Sequence, residues 1–268
     1  MTRLVLAVVA AIAVALLGCG GGGAPSVRIV FEADVSQPPA SGVDGALKDL
    51  ADNLNRRAVA LGASDIEVQV EDQNQLSVSL SGLSIDDARE LLSRTARLEI
   101  RQAVLDVAGQ IVCEYADGSR VTVAKDRISY AAIAGSGAGL PKCVDSQRVI
   151  SQVVWEPAMA GGTEQGPVLT GAFIRPNGAV VDRTETPVLI VNLTDEGSAL
   201  LAQISEGLVG LPLGVFIDDK LMAGPTVKET ITTGNLAIAG LSARAAEILA
   251  AQLNTGVLPL PIRELSAQ

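Results

Sequence analysis

Between Val27 and Arg101 the apolar residues switch twice from a period of two to a helical period and back. This is the strongest constraint in the chain, because a period-two run buries one face as a strand and a 3.6-residue run does so as a helix. Val27, Ile29 and Phe31 stand two apart and predict a strand. After the loop Gln37-Pro38-Pro39-Ala40-Ser41-Gly42, residues Val43, Leu47, Leu50, Leu54 and Leu61 share one helical stripe, with Asp49, Asp52, Arg56 and Arg57 mostly elsewhere. Gly62 stands where a helix-terminating glycine belongs. Ile66, Val68 and Val70, then Leu76, Val78 and Leu80, alternate on either side of a turn-like Asp72-Gln73-Asn74, which predicts a hairpin. Ser84 predicts the cap of a second helix, with Asp86 and Asp87 in its first turn and Ile85, Ala88, Leu91 and Leu92 as its stripe. A strand around Leu98-Glu99-Ile100-Arg101 completes the order β-α-β-β-α-β, the ferredoxin-like arrangement with two helices on one face of a sheet.

The C-terminal part follows broadly the same order. Leu169 to Phe173, Ala179 to Asp182 and Val188 to Leu193 are strand candidates, and Thr194, followed by Asp195 and Glu196, caps a helix through about Glu206. Strands at Leu213 to Ile217 and Leu236 to Ala239 flank a turn-rich stretch at Asp218-Asp219-Lys220. Ser242 caps a last helix whose Ala246, Leu249 and Leu253 face inward, and Gly256 stops it. Pro259 and Pro261 bracket an extended end suited to a sheet edge. The middle is less regular, with one hairpin (Ile111 to Glu114, Arg120 to Ala124) leading into Gly135-Ser136-Gly137-Ala138-Gly139. The expected class is therefore α+β: two ferredoxin-like subdomains, 27–105 and 166–265, on either side of an irregular insertion at 106–165.

Composition removes several functions. The chain has no histidine, which excludes Ser–His and Cys–His nucleophilic machinery and the commonest zinc ligand. Its net charge is −10, and −11 once residues 1–18 with their single Arg are set aside. An acidic body with no basic cluster is unsuited to nucleic acid, whose binding rests on Lys and Arg against phosphates. Hydrophobic residues make up 48% but aromatics only 2%, so the core must be Ala, Val, Leu and Ile. The glycine-rich 135–139 segment is not followed by the Lys-Ser/Thr of a phosphate-binding loop and reads as a loop tip. Trp155, near Pro157, reads as a local packing anchor rather than a ligand platform. The acid pairs Asp86-Asp87 and Asp218-Asp219 sit at a helix start and a tight turn, where capping and solvated-turn roles outweigh acid–base catalysis. No catalytic, cofactor-binding or metal-ligating residue is assigned; the expectation is a non-enzymatic protein without cofactors.

The N-terminus has a short basic start, Met1-Thr2-Arg3, and an apolar run of 14 residues from Leu4 to Leu17. As a helix that run is about 21 Å long, short of a bilayer core of about 30 Å. It suits a signal peptide over residues 1–18. Leu16-Leu17-Gly18-Cys19 resembles the lipobox of bacterial lipoproteins, which implies lipidation of Cys19 and a Gly-rich tether over residues 19–26. An uncleaved membrane anchor and an ordinary cleaved signal are the alternatives. The remaining cysteines, Cys113 and Cys143, are too far apart for a CxxC motif. Outside the cytoplasm they either pair or stay separately buried.

Two blocks resemble the large external domain of SecD, the accessory subunit of the bacterial protein-export translocase. The first comprises Asn53-Leu54-Asn55-Arg56-Arg57 through Leu61-Gly62-Ala63, then Gln75-Leu76-Ser77-Val78-Ser79-Leu80-Ser81-Gly82 and Thr95-Ala96-Arg97-Leu98-Glu99-Ile100-Arg101. The second comprises Leu169-Thr170-Gly171, Leu193-Thr194-Asp195-Glu196-Gly197, Val215-Phe216-Ile217-Asp218-Asp219-Lys220, Ala223-Gly224-Pro225, Ile231-Thr232-Thr233-Gly234, Ile238-Ala239-Gly240-Leu241-Ser242 and Leu253-Asn254-Thr255-Gly256-Val257-Leu258-Pro259-Leu260-Pro261. The family's Leu-x-Gly-Gly motif after the first strand has no clear counterpart here. A lipoprotein-like signal stands where the family has a spanning helix, and Gln268 falls where the family enters its membrane bundle.

The resemblance implies a membrane-tethered, extracytoplasmic module that assists export without conducting protons. Its implied partners are Sec translocase subunits and exported unfolded polypeptide, with the membrane reached through the lipid anchor. An envelope lipoprotein that reuses the fold for another ligand or a structural role is the alternative.

Overall fold

A computed structural model describes residues 26–37, 39–71, 74–132, 139–147, 150–162 and 166–268. Strand β1 (Ser26–Ala33) buries Val27, Ile29, Phe31 and Ala33, every second residue. Helix α1 (Gly42–Ala60) buries the expected stripe. A hairpin of β2 (Ser64–Val70) and β3 (Gln75–Ser81) follows, then α2 (Ile85–Ser93), where the Asp87 N–H donates to the Ser84 hydroxyl at 3.1 Å. β4 (Leu98–Ala103) comes next. The middle segment carries β5 (Ile111–Glu114), β6 (Arg120–Val123), β7 (Ile128–Ala132), β8 (Gly139–Val144), β9 (Ile150–Val153) and β10 (Trp155–Pro157). The C-terminal part has β11 (Ile174–Asp182), β12 (Val188–Leu193), α3 (Asp195–Glu206), β13 (Leu213–Ile217), β14 (Lys220–Ala223), β15 (Asn235–Ala239), α4 (Ala243–Thr255) and β16 (Ile262–Ala267).

The fold is mixed, with four helices of two turns or more and four antiparallel sheets among the described residues. Pairing corrects the expected plan of two closed ferredoxin-like units. The first sheet runs β16-β1-β3-β2, so the strand beside β1 is the chain's last, not β4. β4 pairs instead with β13 and β10, in the sheet β10-β4-β13-β14. The remaining C-terminal strands form β11-β12-β15, so the second part does not close as one sheet either. Both exchanges preserve the buried alternation. Leu98 and Ile100 on β4 and Leu213, Val215 and Ile217 on β13 are all buried in one core, so β4 loses no apolar contact by leaving the first sheet.

The middle segment is not irregular. It forms a five-stranded antiparallel sheet, β6-β5-β9-β8-β7, whose inner face buries Ile111, Cys113, Val123, Cys143 and Val153. Strands of four residues carry too few alternations to stand out from loop sequence. Cys113 on β5 and Cys143 on β8 form a disulfide, with Cα atoms 6.3 Å apart. The expected strand from Leu169 to Phe173 is also corrected. Gly171–Phe173 is a single 3₁₀ turn started by the Thr170 side chain, and the strand begins at Ile174.

Two hydrophobic cores result, and α4 belongs to both. Its Ala246, Leu249, Ala250 and Leu253 join the core of the C-terminal sheets, while Ile248 and Ala251 join the core under the first sheet. A helix with apolar residues around more than one face must be covered on more than one side. α4 is thus the shared wall between two lobes.

Candidate functional site

Where the lobes meet, polar side chains replace apolar packing. Arg57, on the inner face of α1, is fully buried. Its guanidinium donates to Leu91 O at 3.3 Å, Thr95 O at 3.1 Å and Gly256 O at 3.0 Å, and also to Arg94 O. These carbonyls lie at the C-terminal ends of α2 and α4, where unpaired carbonyls and the helix dipoles favour a cation. Burial pushes the Arg57 pKa down to about 10, against the opposing field of Asp218, so the group stays charged at neutral pH. Asn53, one turn earlier, donates to Thr255 O at 3.0 Å. Gln252 on α4, also buried, reaches across to α2 and donates to Glu90 O at 2.7 Å and Leu91 O at 3.0 Å.

Asp218 extends this network. Its carboxylate accepts from Ala96 N at 3.0 Å, Arg97 N at 2.9 Å and the Thr95 hydroxyl, and its own N–H donates to Arg97 O at 3.0 Å. Both Asp218 and Asp219 have positive φ, 49° and 62°, as a tight two-residue hairpin between β13 and β14 requires. Asp219 accepts from Arg97 at 2.8 Å and from Arg101, and the Arg101 bond leads in holding its carboxyl below the usual range. Arg101 in turn lies over the Phe216 ring, 4.5 Å from its centroid, and Trp155 meets the same ring edge-on at 5.5 Å. Trp155 is therefore a packing anchor, as its sequence context suggests. Gly214 lies between the two rings; a Cβ there would stand 2.6 Å from Phe216 and 2.8 Å from Trp155.

Of the acid pairs, Asp86 and Asp87 stand in the first turn of α2, and Asp87 also pairs with Arg244 of α4 at 2.9 Å. Each acid pair is engaged by arginines or backbone amides. Cys19 and Gly135-Ser136-Gly137-Ala138 lie outside the described residues. Among the described residues no group of acids and cysteines is placed to hold a metal, and no helix is long and apolar enough to cross a membrane.

The residue that sequence reasoning misplaced is Arg57. It lies three residues after Leu54 and seven after Leu50, which is on the apolar stripe and not off it. A cation inside a buried stripe was the available signal. Its partners, near Thr95, Asp218 and Gly256, are from 38 to 199 residues away and leave no local trace.

Outside the joint, an open groove of roughly 1020 Å³ runs between the lobes. α1 supplies one wall with Asn55, Arg56 and Val59; β11 supplies the other with Val180 and Val181, extended by Arg183 just past its end; α4 contributes Arg244, Glu247 and Asn254. Parts of both SecD-like blocks, Asn53 to Arg57 and Thr95 to Arg97 of the first and Asp218 and Asn254 to Gly256 of the second, thus meet at the joint and the groove beside it. Residues 156–260 match the family model of the SecDF P1 head subdomain. This chain is SecD-like. The SecDF protein translocase subunit of Thermus thermophilus is 28% identical over 242 residues, covering 88% of this chain and 29% of that protein. The SecD subunit of Dehalococcoides mccartyi is 27% identical over 90% of this chain and 48% of its own length. This SecD-like chain therefore spans about half or less of these relatives. The fold agrees with the crystal structure of SecDF in a super-membrane-facing form (TM-score 0.58, 24% identity, 91% of this chain and 30% of that one). It agrees also with a solved structure of a membrane component SecDF that enhances protein export (TM-score 0.56, 24% identity, 89% and 98%).

Proposed function

We propose that this chain is an extracytoplasmic, non-enzymatic SecD-like module that assists protein export by contacting translocating polypeptide or the Sec translocase. The observation that carries the reading is the extent of the likeness. It covers 88% of the chain against a protein translocase subunit and includes both lobes, not one reused sheet. The two-lobed body offers unpaired sheet edges and an inter-lobe groove, which suit sequence-tolerant holding of an extended chain by main-chain hydrogen bonds. Lipidation at Cys19 would hold the body at an extracytoplasmic membrane face, periplasmic or cell-surface, by a tether of a few residues.

Site-specific photocrosslinking in cells carrying a stalled secretory protein tests the reading. Crosslinks from groove or edge positions to the stalled chain or to Sec subunits are the expected outcome. Crosslinks to neither, with the protein present at normal level, would refute it. A specific observation favours a second reading, an envelope lipoprotein with another ligand: Leu16-Leu17-Gly18-Cys19 stands where SecD has a spanning helix. Co-purification dominated by one non-Sec envelope protein, with no Sec crosslink, would select it.

A further inference from the structure

The inter-lobe groove is positively charged in a protein whose net charge is −10. Arg56, Arg183 and Arg244 line it, and Glu247 is the acid that faces them. Two of the three arginines are occupied. Arg183 pairs with Glu247, while Arg244 is shared between Glu247 at 3.2 Å and Asp87 at 2.9 Å. Arg56 is exposed on α1 and has no carboxylate partner among the described residues. Its position also separates it from its neighbour Arg57: one step along a helix turns the side chain by about 100°, from the buried joint to the groove wall.

The opposite wall is a strand edge. β11 is the outer strand of β11-β12-β15, and its register pairs Ala179 with Val191 and Val181 with Leu189. At Ala179 the outward N–H donates to Asn254 Oδ1 and the outward carbonyl accepts from Asn254 Nδ2, both at 2.9 Å. The carboxamide of α4 thus substitutes for a missing neighbour strand. Main-chain groups of a strand point outward at every second residue, so the next outward pair belongs to Val181. That pair has no such substitute among the described residues and lines the groove. Val180 and Val59 expose apolar surface on the two walls, at 46% and 59%.

An unpaired main-chain donor and acceptor, apolar contacts on both sides and one unpaired arginine together fit a peptide better than a small anion. A nucleic acid would need several free cations along its phosphates, and two of the three here are neutralised. We propose that the groove receives an extended, acidic stretch of polypeptide, which adds to the β11 edge at Val181 and sets a carboxylate against Arg56. This rests on the polypeptide-contacting part of the proposed function and names its site and preferred substrate chemistry.

The test is fluorescence anisotropy with the full-length chain in mild detergent. The probes are labelled peptides of about ten residues built from Ser and Val with Glu, Gln or Lys at alternate positions, long enough to span a sheet edge. The Glu peptide should bind at least about tenfold more tightly than the Lys peptide and weaken with salt, as exposed charge pairs do. Arg56→Glu should remove that preference and Arg56→Lys keep most of it. Val181→Pro, which deletes an outward N–H but no bond to β12, should weaken the Glu peptide without changing the charge preference. Circular dichroism checks that each variant is folded. Equal binding of Glu and Lys peptides, or an Arg56→Glu variant that binds the Glu peptide as the parent does, would overturn the proposal. In that case binding elsewhere would leave the broader polypeptide role standing. Failure of all three peptides to bind would remove the proposal together with the polypeptide-contacting part of the proposed function, leaving contact with the Sec translocase to the crosslinking test.

Discussion

Replacing Arg57 by Met tests whether the joint is held by its buried cation. Four carbonyls accept from the guanidinium, but two keep another donor after its loss. Leu91 O retains Gln252 at 3.0 Å, and Thr95 O retains the Leu258 N–H at 3.1 Å. Arg94 O loses its partner, and Gly256 O keeps only a long 3.5 Å contact from Asn53. Each stranded, part-buried carbonyl costs at most about 1–3 kcal/mol, so two cost up to about 2–6 kcal/mol. Removing a buried charge recovers part of this, because its desolvation penalty disappears. The net expectation is a loss of about 3 kcal/mol, which for a body of this size lowers Tm by roughly 6–12 °C. Because Arg57 joins α1 to the ends of α2 and α4, its loss should also broaden or split the unfolding transition as the lobes lose coupling. Differential scanning calorimetry measures both effects. A variant as stable as the parent, with a single sharp transition, would refute the argument, and the joint would then be held by apolar packing through α4 alone.

Three further outcomes follow from the same structure. Reducing Cys113–Cys143, or replacing both by Ala, should cost about 3–4 kcal/mol by freeing a loop closed over 30 residues, read from urea unfolding with and without reductant. Gly214→Ala should destabilise by about 1–3 kcal/mol and shift Trp155 emission, since its Cβ cannot fit between Phe216 and Trp155 unless a ring moves. The bond from Arg101, with the charge of Arg97, lowers the folded pKa of Asp219 below its unfolded value. Its stabilisation is therefore present above about pH 4 and lost as the pH falls through the folded pKa. The group is largely exposed, so the effect is under about 1 kcal/mol, and Asp219→Asn should flatten the acid limb of a stability–pH curve by that amount. For the N-terminus, mass spectrometry of the mature protein should find Cys19 as a lipid-modified first residue; an intact Met1 would return residues 1–23 to a membrane anchor.

What was legible in the sequence was local. Ser84, Thr194 and Ser242 cap α2, α3 and α4 as their side chains require, and α1 begins and ends within a residue or so of its apolar stripe. β1, β3 and β12 bury apolar residues at every second position, and β13 forms where its short apolar run lies. These features depend on neighbours within about four residues, and those neighbours are written beside them. The quoted Asn254-Thr255-Gly256 and Asp218-Asp219 motifs were also visible, but without their partners.

The tertiary structure decided which strand lies beside which. Leu98 and Ile100 make β4 a strand in any sheet that buries them, so alternation alone could not place it beside β13 rather than β1. β16 could take the place beside β1 because α4 carries the chain back across both cores. That return brings Gly256 to Arg57, and the pairing of β4 with β13 brings Asp218 near it; together they turn a charged residue in an apolar stripe into the joint between two lobes. Periodicity specifies the face that each element must bury; the choice of surface that buries it depends on contacts between residues as far apart as Arg28 and Gln268, which a single sequence does not display.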